Sequence, residues 1–362
     1  MKTVRIFLRC LVTAAFLAAV PAGAQSGADH MLPADFAVPR YEHVFVIVAE
    51  NRGYDTIVNA HAAPAFTQLA HGYGNATQFF AEVHPSEGNY VALVGGNTFG
   101  IHDDDAFYCR AGTTRPYCSN ATTPGYADHT VTVPHLGDQL TAAGLTWKGY
   151  YESIPAPGSL AIVGDSGGSD NAYYAVKHSG FLNFASAQND PHRAEHITSF
   201  DVLDRDRAAG TLPNFALIVP NQCNEMHGLR GKTVPEDCPE SEGLIRRGDA
   251  HIGKLVGELM NTAAWKSDAN VAIVLTFDEA ETSTRAGCCG YEPGSVANFG
   301  GGRIPTIVIT NHGPRGLDDP TPYSHYSLLR TIEDAFGIST HLALAGAVDR
   351  GVRPMTPLFA RR

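Results

Sequence analysis

Six short runs of this chain are apolar at nearly every position and rich in β-branched or aromatic residues: HVFVIVA, ATQFFAEV, LTWKGYY, NFALIVP, NVAIVLTF and RIPTIVIT. Such a run has no polar side to turn towards water, so as a strand it must be covered on both faces. Between the runs lie helical patterns at Pro64 to Ala70, Pro134 to Ala143, Glu242 to Met260 and Tyr326 to Phe336. Buried strands alternating with helices imply an α/β fold, a mostly parallel central sheet flanked by helices on both faces. The stretches Ile101 to Pro134 and Ala156 to Thr211 are rich in Gly, Pro, Asp and Ser and read as loop insertions that frame a pocket.

The first residues place Lys2, Arg5 and Arg9 around the apolar run LVTAAFLAAV, followed by small residues up to Ala24. This is the layout of a cleaved signal peptide, and it predicts a periplasmic or secreted protein. The expected organisation is a signal peptide at 1–24, an extension at 25–40, one catalytic domain at 41–340 and a tail at 341–362. Removing the leader takes the formal charge from −11 to about −14. An acidic chain without basic clusters is a poor partner for nucleic acid or anionic membrane. No later run approaches the roughly 20 apolar residues that cross a bilayer.

Beyond Cys10, six cysteines remain, an even number suited to an oxidising compartment. Cys109 with Cys118 and Cys223 with Cys238 are the natural local staples; the vicinal Cys288 and Cys289 are ambiguous. No CxxC pair is present to suggest a zinc knuckle.

In sheets of this kind ligands bind beyond the carboxyl ends of the strands. The residues there are Glu50 and Asn51; His84, Ser86 and Asn89; Asn221, Asn224 and His227; Asp278 and Glu279; Asn311 and His312. Glu50 with Asn51, and Asp278 with Glu279, offer two sets of oxygen ligands for a hard or borderline divalent cation. Either pair alone reads better as a cap for the next element; two pairs at strand tips reverse that preference in favour of the metal. Ser86 stands where a helix begins, so its hydroxyl is either a cap or a nucleophile beside the free N–H groups of a helix terminus. One turn on, the Asn89 amide would reach a phosphoryl oxygen. His178, His102 and His325 read better as packing, loop and capping residues. GDSGG at Gly164 to Gly168 resembles a serine-protease loop, but it falls inside an α/β pattern with no matching histidine context. No G-x-S-x-G elbow follows a strand, which disfavours an α/β-hydrolase.

The motifs ENRGYD, HPSEGNYVALVGGNTFGIHDD, PNQCNEMHG, TFDEAE and PYSHYSLLRTIEDAFG, in this order, resemble the phosphoesterase family of acid phosphatases and non-specific phospholipases C, within the alkaline phosphatase superfamily. The resemblance implies Ser86 as nucleophile through a phosphoserine, Asn89 as phosphate holder, and Glu50, Asn51, Asp278 and Glu279 as ligands of one divalent metal of open identity. It makes the helix around Asp249 scaffold. Where two-zinc relatives carry Asp and His, this chain has Asn221 and, at altered spacing, His227; this argues against a full two-zinc site and leaves His227 to assist leaving group or phosphate. The expected substrate is a small phosphate monoester. A phospholipase C acting on headgroup diesters is the close alternative, disfavoured because only about twenty-five residues follow Phe336 to Ile338. A non-catalytic extracellular binder of phosphate ligands is the alternative from another class.

Overall fold

The computed structural model describes residues 37–104, 128–164, 173–229 and 235–361. The expected leader, and the Cys109 and Cys118 staple, lie outside these residues, as does GDSGG apart from Gly164. Among the described residues nine strands form one sheet: β1 (His43–Ala49), β2 (Gly74–Phe80), β3 (Trp147–Tyr151), β4 (Ile197–Ser199), β5 (Phe215–Val219), β6 (Val271–Phe277), β7 (Arg303–Thr310), β8 (Leu317–Asp319) and β9 (Tyr323–Ser324). Their order across the sheet is β4-β3-β5-β1-β6-β7-β2-β8, with β9 alongside β2. The centre is parallel: Val44 of β1 lies opposite Phe215 of β5 on one side and Ala272 of β6 on the other. Every residue of β5 and β6 is buried, which is why these runs lack alternation.

β7 is the exception, running antiparallel to both β6 and β2. Its carboxyl end therefore lies at the edge of the sheet opposite the other candidate residues. Asn311 and His312, expected at the site, are instead beside the start of β6, where Asn311 Oδ1 accepts from Val271 N at 2.9 Å. The direction of one strand removes both from the list of candidates. The supposed insertion from Ala156 to Thr211 also carries more structure than expected, the edge strand β4 and the helix Phe200–Ala209.

The helix Glu242–Met260 begins at Ser241, whose hydroxyl accepts from Leu244 N, and it buries Leu244, Ile252, Leu255, Val256 and Leu259 along one face. From the same helix Asp249 reaches across to accept the backbone N–H groups of Ala65 and Phe66, at 3.0 and 2.9 Å. It caps the neighbouring helix Pro64–Gly72, the scaffold role that the resemblance implies. The helix Glu87–Gly95 is unlike these: all nine residues are buried. It ends at Gly96, where φ is +75° and a Cβ would lie 2.3 Å from Leu342 O, so only glycine fits.

The segment after residue 340 is packed rather than trailing. Met355, Leu358 and Phe359 are fully buried, and Tyr41 donates its hydroxyl to Phe359 O at 2.7 Å. Cys223 and Cys238 are joined, as are Cys288 and Cys289. Among the described residues no helix is long and apolar enough to cross a membrane.

Candidate metal and phosphoryl-transfer site

Backbone bonds bring the parallel strand ends to one point. Asp278 N donates to Ala49 O at 3.0 Å, and Glu50 N donates to Glu225 O at 2.7 Å. The ends of β6 and β1 are thus tied side by side, and the loop after β5 is joined to them. Asn51 follows in the left-handed region, φ +59°, a conformation that Asn tolerates better than other non-glycine residues. The turn aims its backbone N–H at Asp278 Oδ1, 3.0 Å, and its side-chain N–H at Glu50 Oε2, 3.0 Å. Glu50, Asn51 and Asp278 are therefore brought together.

Ser86 precedes the helix Glu87–Gly95, yet its side chain does not cap it. The hydroxyl donates to Glu50 Oε2 at 3.0 Å and lies 3.5 Å from Glu279 Oε1. The hydroxyl therefore faces Glu50 and leaves the helix terminus uncapped by Ser86. Glu279 turns its other oxygen to His84, 2.5 Å from Nδ1, while His84 Nε2 donates to Thr284 O at 2.6 Å. Both ring nitrogens of His84 face acceptors, so burial, which disfavours the imidazolium, is outweighed by Glu279 and its pKa is raised. Glu279 itself is pushed up to about 7 by burial.

Asn89 is placed differently from its expectation. Its Oδ1 accepts from the N–H groups of Glu82 and Val83, at 3.0 and 3.1 Å, and its Nδ2 donates to Val83 O at 2.8 Å. The amide pins the loop that carries Ser86, and one of its two N–H groups is already committed.

The residues after β5 divide. Asn221 and Asn224 turn to Glu152: Asn221 N donates to Glu152 Oε2 at 2.9 Å, and Asn224 Nδ2 lies 2.9 and 2.8 Å from its two oxygens. Glu225 and His227 face the site instead, on either side of Met226, whose φ of +80° is a strained value for a side-chain-bearing residue. His178, read from sequence as packing, is also in the site. Its Nε2 is 3.3 Å from Glu50 Oε1, its Nδ1 is 2.7 Å from Glu225 Oε1, and its ring stacks on Tyr90 at 5.4 Å. The contact with Glu225 is close but not aligned as a hydrogen bond, for Glu225 Oε1 has no such partner.

Several of these buried atoms lack any hydrogen-bond partner: Glu50 Oε1, His178 Nε2, Asp278 Oδ2 and both carboxylate oxygens of Glu225. An unpaired buried carboxylate oxygen is costly, and this group of orphans fits a cation. Ligand atoms of Glu50, His178 and His227 lie within 4.8 Å of one another. The donors thus form an oxygen set, Glu50, Asn51 and Asp278, and a mixed set, Glu50, His178 and His227, joined at Glu50. Burial and then the like charges of Asp278 and Glu225 hold the Glu50 carboxyl well above its usual range, and Glu225 and Asp278 are raised too, with burial the main cause. Burial holds the His178 imidazole well below its usual value and His227 at about 4, leaving both rings neutral and able to serve as ligands.

Lys177, Glu152 and Glu225 were not singled out from the sequence. Glu152 directly follows β3 and was legible by the strand-end rule, and Glu225 lies six residues beyond β5; Lys177 carries no local signal.

A sequence profile of the phosphoesterase family matches residues 58–339. The phosphatidylinositol-3-phosphatase of Mycobacterium tuberculosis is 30% identical over 302 residues, 83% of this chain and 79% of that protein. An acid phosphatase of Aspergillus fumigatus is 26% identical over 265 residues, 72% of this chain and 48% of that protein; the chain spans about half of this fungal relative. In fold, it resembles a protein in the alkaline phosphatase superfamily from Vibrio parahaemolyticus, with a TM-score of 0.51 and 11% identity, covering 84% of this chain and 68% of that one. The match spans most of the chain, and the chain belongs to the phosphoesterase family, whose enzymes are phosphoric ester hydrolases.

Proposed function

We propose that this chain is an exported, metal-dependent phosphomonoesterase with Ser86 as its nucleophile. The observation that carries the reading is the Ser86 hydroxyl, which donates to Glu50 at 3.0 Å rather than capping its own helix. It is buried among carboxylate and imidazole atoms that have no partner of their own.

Ser86 Oγ attacks phosphorus in line as its proton passes towards Glu50 Oε2, the Oγ–P bond forms, and the ester P–O bond breaks on the far side. Water then cleaves Oγ–P and releases phosphate. Glu50, Asn51 and Asp278 would hold a divalent cation, whose charge would favour the serine alkoxide and offset that of the phosphoryl group. Glu279 and His84 orient the mouth of the site, and Asn89 fixes the loop on which Ser86 stands. His227 is assigned to the donor set rather than to acid catalysis: its Nδ1 donates to Gly228 O at 2.9 Å, and its Nε2 faces Lys177 Nζ at 3.4 Å. A neutral ring so placed has no proton at Nε2 to give to a leaving alkoxide.

Support for monoesters comes from the relatives, named as phosphatases. The test is hydrolysis of p-nitrophenyl phosphate and of phosphatidylcholine by wild type and Ser86→Ala across a divalent-metal series. Turnover of the monoester by wild type alone is expected. Preferential cleavage of phosphatidylcholine would favour a phospholipase C, anion binding without turnover at any metal would favour a binding protein, and an active Ser86→Ala would refute the assigned nucleophile.

A further inference from the structure

The first backbone N–H after the nucleophile is already occupied. Glu87 N donates to Asp104 Oδ1 at 3.2 Å, and Lys177 Nζ donates to Asp104 Oδ2 at 2.9 Å. One carboxylate thus takes both the N–H at the start of a nine-residue helix and an ammonium, the two kinds of donor that recognise a phosphate. Both side chains remain in reach of solvent, Lys177 at 22% and Asp104 at 28% exposure.

The surroundings make this pairing informative. Glu50, Glu225, Asp278 and Glu279 are buried carboxyls, and His178 and His227 are neutral. His84 is engaged on both nitrogens. Arg52 lies nearby, but both of its Nη atoms are engaged by Glu240 and Met226 O. Lys177 also stands 3.4 Å from His227 Nε2 and so borders the donor set. In that donor set the buried His178 Nε2 has no hydrogen-bond partner, a second sign that an occupant belongs beside Lys177.

We infer that Asp104 is an internal stand-in for the substrate's phosphate, holding the Glu87 N–H and the Lys177 ammonium until a phosphate monoester dianion displaces it. The inference rests on the phosphoryl-transfer reading of Ser86 and deepens it to a charge selection. A dianion recovers, with two oxygens, both contacts that the carboxylate gives up. A diester monoanion has less charge with which to compete for them. Lys177 and Asp104 thereby set the preference for monoesters without taking part in bond making.

The test is calorimetric titration of inorganic phosphate into the metal-loaded protein. Asp104→Asn keeps an oxygen for the Glu87 N–H and removes the competing charge, and should tighten phosphate binding on the order of tenfold. Asp104→Ser serves as a second variant with the same expectation should the first fold poorly, as judged by its melting temperature. Lys177→Met should weaken phosphate binding by a similar factor. Unchanged or weaker binding in both Asp104 variants would overturn the proposal. p-Nitrophenyl phosphate turnover by wild type separates the two readings. Its absence with every metal would sink the hydrolase reading alone, whereas turnover with unaltered phosphate affinity in the Asp104 variants would sink only this one.

Discussion

His325 and Glu82 form a buried pair that should fix the distance between the loop carrying Ser86 and the strand end carrying Asp278. Each is about 1% exposed. Glu82 Oε1 accepts the backbone N–H of His325 at 3.0 Å, Glu82 Oε2 accepts its Nδ1 at 2.6 Å, and His325 Nε2 donates to Phe277 O at 2.9 Å. With acceptors on both nitrogens the ring is an imidazolium; burial opposes this, but Glu82 and the Phe277 carbonyl raise its pKa. Glu82 lies four residues before Ser86, and Phe277 directly precedes Asp278. Replacing His325 by Leu strands a buried carboxylate and one carbonyl, a loss of about 3–5 kcal/mol. In a chain of this size the melting temperature should fall by about 4–7 °C. Glu82→Gln is milder, about 1 kcal/mol, because a neutral His325 can accept from the Gln amide. The sign with pH follows from the raised pKa. The stabilisation is complete below about 6.5, the ordinary histidine value, and is lost as pH rises through the folded value. Urea unfolding of wild type from pH 6 to 9 should therefore show falling stability, with a flatter profile in Glu82→Gln. A His325→Leu loss below about 1 kcal/mol, or parallel profiles for wild type and Glu82→Gln, would refute the pairing as described.

Two further outcomes follow from the same electrostatics. The raised carboxyls of Glu50, Glu225 and Asp278 contribute stability that is lost as pH climbs above the ordinary carboxylate range, so the metal-free protein should weaken upward in pH. The rise in melting temperature on adding a divalent cation should accordingly be larger at pH 7.5 than at pH 5; equal shifts would argue against Glu50 and Asp278 as ligands of a metal. At the helix Leu136–Ala142, His135 Nδ1 accepts from Gly137 N at 2.9 Å, and burial holds its pKa at about 4. The neutral ring is needed for the cap, so stability should fall as pH drops from about 6.5 towards 4, by about 3 kcal/mol at most. His135→Asn, which keeps a capping oxygen, should flatten that fall in thermal melts.

The sequence by itself determined the sheet and the heart of the site. Runs apolar on both faces can only be central strands, and a parallel strand must deliver its next residues to one edge, so Glu50, Asn51, Ser86 and Asp278 converge there. The motif order pointed to the family for the same reason, since the motifs sit at those strand ends. Tertiary structure alone decided what depends on orientation. The antiparallel course of β7 carried Asn311 and His312 to the far edge, which no local pattern of RIPTIVIT encodes. His178 and Lys177 come from a 3₁₀ turn, Val176–His178, in a segment that reads as loop, and they reach the site only because that turn packs against the helix Glu87–Gly95. Asn89 and Ser86 lie three residues apart on one helical turn, yet the amide faces the backbone of residues 82 and 83 while the hydroxyl faces Glu50. Spacing sets which residues are neighbours; the direction of each side chain is set by the polar atoms that burial leaves for it to satisfy.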